Sequence, residues 1–171
     1  GVDSFAMLDL DAIVPSLTNP RTIFDDAKLE ELADSIRASG VHQPILVRSL
    51  PAARLDETSR KLGRKQRETH ELISGERRWR ASRLAGKPTI PAMVRDLTDA
   101  QVLEIQIVEN LQRADLTELE EAEGYQRLVD QAGLDKREIG AKIGKSREYV
   151  HPKHLLGEAE EMLPEWLDAL R

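Results

Sequence analysis

A strand-like run, His70-Glu71-Leu72-Ile73-Ser74, passes directly into Gly75 and then into Glu76-Arg77-Arg78-Trp79-Arg80. No other junction constrains the fold so tightly. The chain must change from a two-residue to a 3.6-residue period with one residue in between, and a glycine there lets the backbone approach a ligand closely. A helix starting there directs its free N–H groups and positive dipole end outward. Three arginines in four positions add forked donors suited to phosphate oxygens. Arginine-rich helices are ordinarily solvated faces, so the junction needs a companion before it means a site. Downstream, Glu109-Asn110-Leu111-Gln112-Arg113 supplies a carboxylate and an amide for a hard metal ion, plus another arginine. Together the two segments point to a pocket for a nucleoside triphosphate and magnesium.

The first part of the chain reads as mixed α/β. Leu8–Ile13 alternates like a short half-buried strand. Asn19-Pro20-Arg21 breaks the chain before a helix that starts at Asp25 or Asp26 and stops at Gly40, with Leu29, Leu32, Ala33 and Ile36 facing inward. Pro44–Val47 and Glu71–Ser74 are further strands. Between them Ser49–Thr69 is polar and aperiodic, and reads as an extended hairpin or loop. Glu76–Leu84 is a helix ending near Gly86, and Pro88–Val94, with two prolines, reads as an edge strand.

From Thr98 the character changes. Thr98 is positioned to cap an apolar helix running to about Leu111, with Val102, Leu103, Ile105, Ile107 and Val108 on it. Leu116–Ala132 is a second helix, stopped at Gly133, whose inward stripe is Leu119, Ala122, Tyr125, Leu128 and Val129. The expected class is α+β: a small mixed-sheet domain over 1–97, then an all-α domain over 98–171. Within the latter, 134–156 reads as a helix-turn-helix. Lys136–Ile143 is its first helix, Gly144 its turn, and Ser146 the cap of a recognition helix. Such a helix places its early residues at bases and phosphates. Lys145, Ser146, Arg147, Tyr149 and Lys153 are the candidate DNA contacts, and Pro152 ends or kinks that helix. His151 and His154 lack a third ligand and are not read as a metal site. Trp79 and Trp166 are packing anchors, and Glu158–Leu170 is an acidic amphipathic helix.

Charge supports two anionic ligands despite a net −6 over 171 residues. Residues 60–95 hold eleven Lys/Arg against three Glu, a local +8. Residues 96–134 hold ten acids against two arginines, and 135–157 return to +3. The chain has no cysteine, which excludes disulfides, thiolate metal sites and cysteine nucleophiles. No apolar run approaches the roughly 18 residues of a membrane span, and no signal peptide is visible, so a cytoplasmic location is expected.

Gly75–Arg80, Glu109–Arg113 and Gly40-Val41-His42-Gln43-Pro44-Ile45-Leu46-Val47-Arg48 resemble, in order and spacing, the three nucleotide-binding boxes of the ParB proteins. Those are centromere-binding CTPases of chromosome and plasmid partition. The resemblance runs from about Leu8 to about Leu156 and implies a ParB/sulfiredoxin-like domain followed by the helix-turn-helix. It implies a dimeric clamp that loads on double-stranded DNA, binds CTP with magnesium, closes, and reopens on slow, DNA-stimulated hydrolysis to CDP and phosphate or on release. Gly75, Glu76, Arg77 and Arg78 would then cradle phosphates, with Arg80 beside them. Glu109 and Asn110 would hold magnesium, Asn110 would also contact nucleotide, and Arg113 would contact phosphate or brace the closed state. Arg48 and the backbone of Ile45 to Val47 would line the nucleotide, and Gln43 with Glu76 would serve hydrolysis. The family also implies a ParA-type ATPase as partner and association with nucleoid or plasmid. Its usual terminal segments are not recognisable, so the chain reads as a truncated core. Two other readings share the fold: a DNA-binding repressor without hydrolysis, and an enzyme of the sulfiredoxin and kinase branch. The missing cysteine speaks against the sulfiredoxin chemistry, and the helix-turn-helix against a stand-alone kinase.

Overall fold

The computed structural model describes residues 3–16, 18, 24–61 and 69–146. The chain divides into two compact units, Gly1–Leu97 and Thr98–Arg171.

In the first unit five strands form one mixed sheet in the order β1-β5-β3-β4-β2. They are β1 (Ser4–Asp9), β2 (Ile13–Val14), β3 (Ile45–Ser49), β4 (His70–Ser74) and β5 (Thr89–Val94). The expected strand over Leu8–Ile13 is instead two strands in different places. A 3-10 turn at Leu10–Ala12 lets β1 pair with β5 while β2 pairs with β4 at the opposite edge. β5 is interior rather than an edge, lying between antiparallel β1 and parallel β3. Its proline is tolerated because the β3 ladder begins only at Ala92, one residue past Pro91. Between β3 and β4, Leu46 faces Ser74 whereas Val47 faces Leu72, so Ile73 is extra and the ladder bulges two residues before Gly75.

The sheet core is Ile13, Ile45, Val47, Leu72, Ile90 and Ala92, with the Trp79 ring packed on it and its Nε1 donating to the Leu10 carbonyl at 3.3 Å. Trp79 is thus the packing anchor expected. Helix α1 (Asp26–Ser39) is capped by the Asp25 carboxylate and buries Leu29, Ala33 and Ile36 against Ala81 of α3 (Glu76–Leu84). The segment expected to be loop contains α2 (Ala52–Lys61). Pro51 opens it, and Glu57–Lys61 pairs at 2.9 Å one turn apart. Such a helix rests on local pairing rather than an apolar stripe, which is why a periodicity search passes over it.

The second unit packs α4 (Asp99–Leu111), α5 (Glu118–Asp130) and α6 (Lys136–Ser146) around Ile107, Leu111, Tyr125, Leu128, Leu134, Ile139 and Ile143. Thr98 and Thr117 each form a capping box, with Gln101 and Glu120 respectively. α5 approaches α4 closely at Gly124, where a Cβ would fall 2.5 Å from a Leu111 methyl. Leu119, expected on the buried stripe, is 68% exposed. It lies in the first turn of α5, ahead of the point where that helix meets α4. Gly144 lies inside α6, not in a turn, and Ser146 is the last residue of that helix. A helix-interior glycine costs about 1 kcal/mol but does not stop a helix. The left-handed stop after α5 is Gly133, at φ 70°. The expected recognition helix and the helix over Glu158–Leu170 lie outside the described residues.

Candidate nucleotide site

Gly75 adopts φ 101° and ψ 30°, and a Cβ there would sit 2.7 Å from Ile45 Cγ2 and 3.0 Å from Arg78 Nη2. Glycine is required twice over, by backbone angle and by space. The turn presses the β4–α3 junction against the start of β3. Arg78 fastens it there, donating from Nη1 to the carbonyls of Gln43 at 2.7 Å and Pro44 at 2.6 Å. Two sequence boxes separated by some thirty residues are therefore one structural corner.

The end of α3 at this corner is unlike the others. α1, α4 and α5 begin with side-chain caps from Asp25, Thr98 and Thr117, whereas Gly75 provides none to α3. The first intrahelical bond runs from Trp79 N–H to the Gly75 carbonyl, so the first-turn N–H groups project beyond the helix. An anion fits that position on charge and on hydrogen bonding.

The arginines of α3 divide by what holds them. Arg78 is the latch just described. Arg80 bonds Glu76 Oε1 at 3.1–3.3 Å and lies over the Phe24 ring at 4.2 Å. Arg83 pairs with Asp11 at 3.6 Å and covers Trp79. Arg77, half-buried, has no hydrogen bond or ion pair among the described residues. It is the arginine best placed to meet a ligand. The Glu76 carboxylate is largely buried and tied to Arg80. Gln43 is exposed beside the corner.

Ile45 and Val47 are fully buried, so only their backbone could face a nucleotide. Arg48 departs from the sequence reading. It is 4% exposed, its Nε and Nη2 each 2.9 Å from Glu71 Oε2, with Nη1 donating to the Leu97 carbonyl. A guanidinium so occupied braces β3, β4 and the end of the first unit rather than lining a ligand. Glu71, the one acid among buried β4 residues, was the sequence signal for this pair, since a buried charge requires a partner.

On the second unit, Glu109 is exposed and Asn110 half-buried in the last turn of α4. No cluster of three His, Cys, Asp or Glu side chains suited to a metal occurs among the described residues. Two oxygen donors do not make a protein cage, but they suit magnesium, which keeps waters and takes phosphate oxygens alongside one or two carboxylates. Arg113 pairs with Glu120 of α5, a partner the sequence reading did not anticipate. Lys145 and Ser146 end α6, while Arg147, Tyr149 and Lys153 lie outside the described residues.

Residues 2–111 match the ParB N-terminal domain and residues 114–168 the ParB HTH domain. The chain belongs to the ParB family. It is 46% identical over 143 residues to a chromosome-partitioning protein ParB of Myxococcus xanthus, covering 84% of this chain and 43% of that one. It is 43% identical over 164 residues to a chromosome-partitioning protein Spo0J of Thermus thermophilus, covering 95% and 53%. The chain thus spans about half the length of these ParB relatives. Among solved structures it is similar to a C-terminally truncated ParB of Caulobacter crescentus complexed to the centromeric parS site. That match has a TM-score of 0.63 and 32% identity, covering 96% of this chain and 75% of that one. A second structure of that ParB, complexed with CTP-gamma-S, aligns at TM-score 0.51 and 32% identity, covering 99% and 92%.

Proposed function

We propose that this ParB-family chain is the nucleotide- and DNA-binding core of a chromosome- or plasmid-partition clamp that binds and hydrolyses CTP. The observation that carries the reading is the corner at Gly75. A helix end to which Gly75 lends no side-chain cap, an Arg77 without a hydrogen bond or ion pair among the described residues, and the Gln43–Ile45 backbone meet where a triphosphate needs donors. Support also comes from the relatives above, one solved with parS DNA and one with CTP-gamma-S.

In this reading the backbone at Gly75, Glu76 and Arg77 holds phosphates, with the Arg77 guanidinium adding a forked contact. Arg78 shapes the cradle by fixing the Gln43–Pro44 carbonyls. Gln43, exposed at the rim, orients the water for hydrolysis, while Glu76 keeps Arg80 in place. Glu109 and Asn110 hold magnesium, which supplies charge neutralisation to the phosphates, and Arg113 meets phosphate. Phosphoryl transfer needs little more than such positioning and neutralisation. The end of α6 and the segment after it, with Lys145, Ser146, Arg147, Tyr149 and Lys153, contact double-stranded DNA. Two protomers form the clamp, a ParA-type ATPase is its partner, and its place is the cytoplasm, on nucleoid or plasmid.

Turnover of radiolabelled CTP, with and without a centromere-like duplex, tests this. DNA-stimulated release of phosphate supports the clamp. Specific DNA binding without CTP binding or turnover would replace it with the repressor reading. Arg147→Ala tests the DNA half. It weakens specific binding by roughly 1–3 kcal/mol if it reads a base, or all sequences alike if it meets phosphate. Unchanged DNA affinity removes it from the interface.

A further inference from the structure

Arg113 is the member of the Glu109–Arg113 box that already has an anion. Its Nη2 pairs with Glu120 Oε2 in the first turn of α5. Its Nε, shielded from solvent, has no hydrogen-bond partner and lies 3.7 Å from Asp115 Oδ1. Donor capacity is therefore left unspent at a guanidinium otherwise held by a carboxylate.

Glu120 also has a second task. It is the third-position residue of the α5 capping box, its Oε1 accepting from the Thr117 hydroxyl at 3.0 Å and the Thr117 N–H at 3.3 Å. Its own N–H returns a bond to Thr117 Oγ1 at 3.1 Å. One carboxylate thus ties together the arginine that follows α4 and the first turn of α5. Bonds from Thr117, and then the charge of Arg113, hold its carboxyl below the ordinary glutamate range, so it is an anion at neutral pH.

We infer that Glu120 is a tethered stand-in for phosphate, occupying Arg113 until a nucleoside triphosphate displaces it. The inference rests on the proposed contact between Arg113 and nucleotide phosphate. A phosphate oxygen offers Arg113 the same charge-assisted geometry and can also take the unpartnered Nε. When Arg113 turns to the ligand, Glu120 loses one of its two attachments, and only the Thr117 box then secures the start of α5. Glu120 is accordingly a positioning residue. It keeps the arginine extended and neutralised, and it sets the affinity threshold by competing with the ligand.

Glu120→Gln separates the two tasks, since glutamine serves equally as third residue of a capping box but carries no charge. Thr117→Ala does the reverse, removing the cap and leaving the anion. Calorimetric titration of CTP with magnesium into the parent and the variants Glu120→Gln, Thr117→Ala and Arg113→Ala reads all three roles. Expected are a Kd lowered roughly two- to fivefold in Glu120→Gln, the scale of a half-exposed ion pair. Thr117→Ala should stay near the parent, and Arg113→Ala should weaken binding. Should Glu120→Gln bind no tighter than the parent while Arg113→Ala still binds more weakly, the competition is refuted and the phosphate contact stands. A parent that fails to bind CTP, or an Arg113→Ala that binds like the parent, overturns the underlying site assignment and this inference with it. Circular dichroism of each variant identifies any that fails to fold. For such a variant Glu120→Asp, which keeps the charge, supplies the comparison: parent-like affinity there supports the inference, and the glutamine-like gain refutes it.

Discussion

Arg77 and Arg78 are neighbours in sequence with different work. Arg78 donates two short bonds to main-chain carbonyls that no other described side chain satisfies. Arg78→Ala should therefore lower stability by about 1–3 kcal/mol as well as disturb the cradle. Arg77→Ala should leave stability within about 0.5 kcal/mol, because it removes a side chain without a partner among the described residues. It should nonetheless weaken CTP binding by about 1.5–3 kcal/mol, the scale of a charged hydrogen bond. Urea denaturation and calorimetry on both variants decide the matter. Equal stability loss in the two would mean that Arg77 has a structural partner, and normal CTP affinity in Arg77→Ala would remove it from the site. The sequence showed that this cluster could meet an anion. It could not show which arginine was spared, because Phe24, Asp11 and the Gln43–Pro44 carbonyls reach α3 only through tertiary folding.

At the scale of elements, the helices were legible and the sheet less so. Thr98 and Asp25 announce helix starts by side-chain chemistry acting within three residues, and Gly40 marks a stop by the positive φ that its missing side chain permits. Strand neighbours are set by distant residues, which is why β5 proved interior and the Leu8–Ile13 run split around a 3-10 turn. His70 makes one such pairing testable. It opens β4, beside Ile13 of β2 and Ser49 of β3, and burial holds its pKa below the ordinary imidazole value. The unfolded chain thus binds a proton at higher pH than the folded one does. Stability is complete above about pH 6.5 and falls as the pH drops below it, until the folded-state histidine also protonates. The urea midpoint should decline between about pH 7 and pH 5, and His70→Gln should flatten that decline. An unchanged slope would assign the pH dependence to other groups. Thr98→Ala should cost about 1 kcal/mol by opening the α4 cap, read as a lower thermal midpoint.

For the whole molecule, the two units carry separate cores, one around Ile45, Leu72 and Ile90 and the other around Tyr125, Leu128 and Ile139. Glu109→Ala should impair CTP-dependent crosslinking between protomers and CTP turnover while leaving DNA recognition in place. Crosslinking and turnover equal to the parent's would rule out a gating role for this box. The start of α3, to which Gly75 lends no side-chain cap, has a consequence of another kind. An anion settling there would supply the bonds that Asp25, Thr98 and Thr117 give the other helices. The ligand should then behave as a missing piece of the fold, with the melting temperature climbing as nucleotide is added. At a hundredfold excess over Kd the gain is about 2.7 kcal/mol. In a cell, the lifetime of the protein against proteolysis would then follow the supply of its nucleotide.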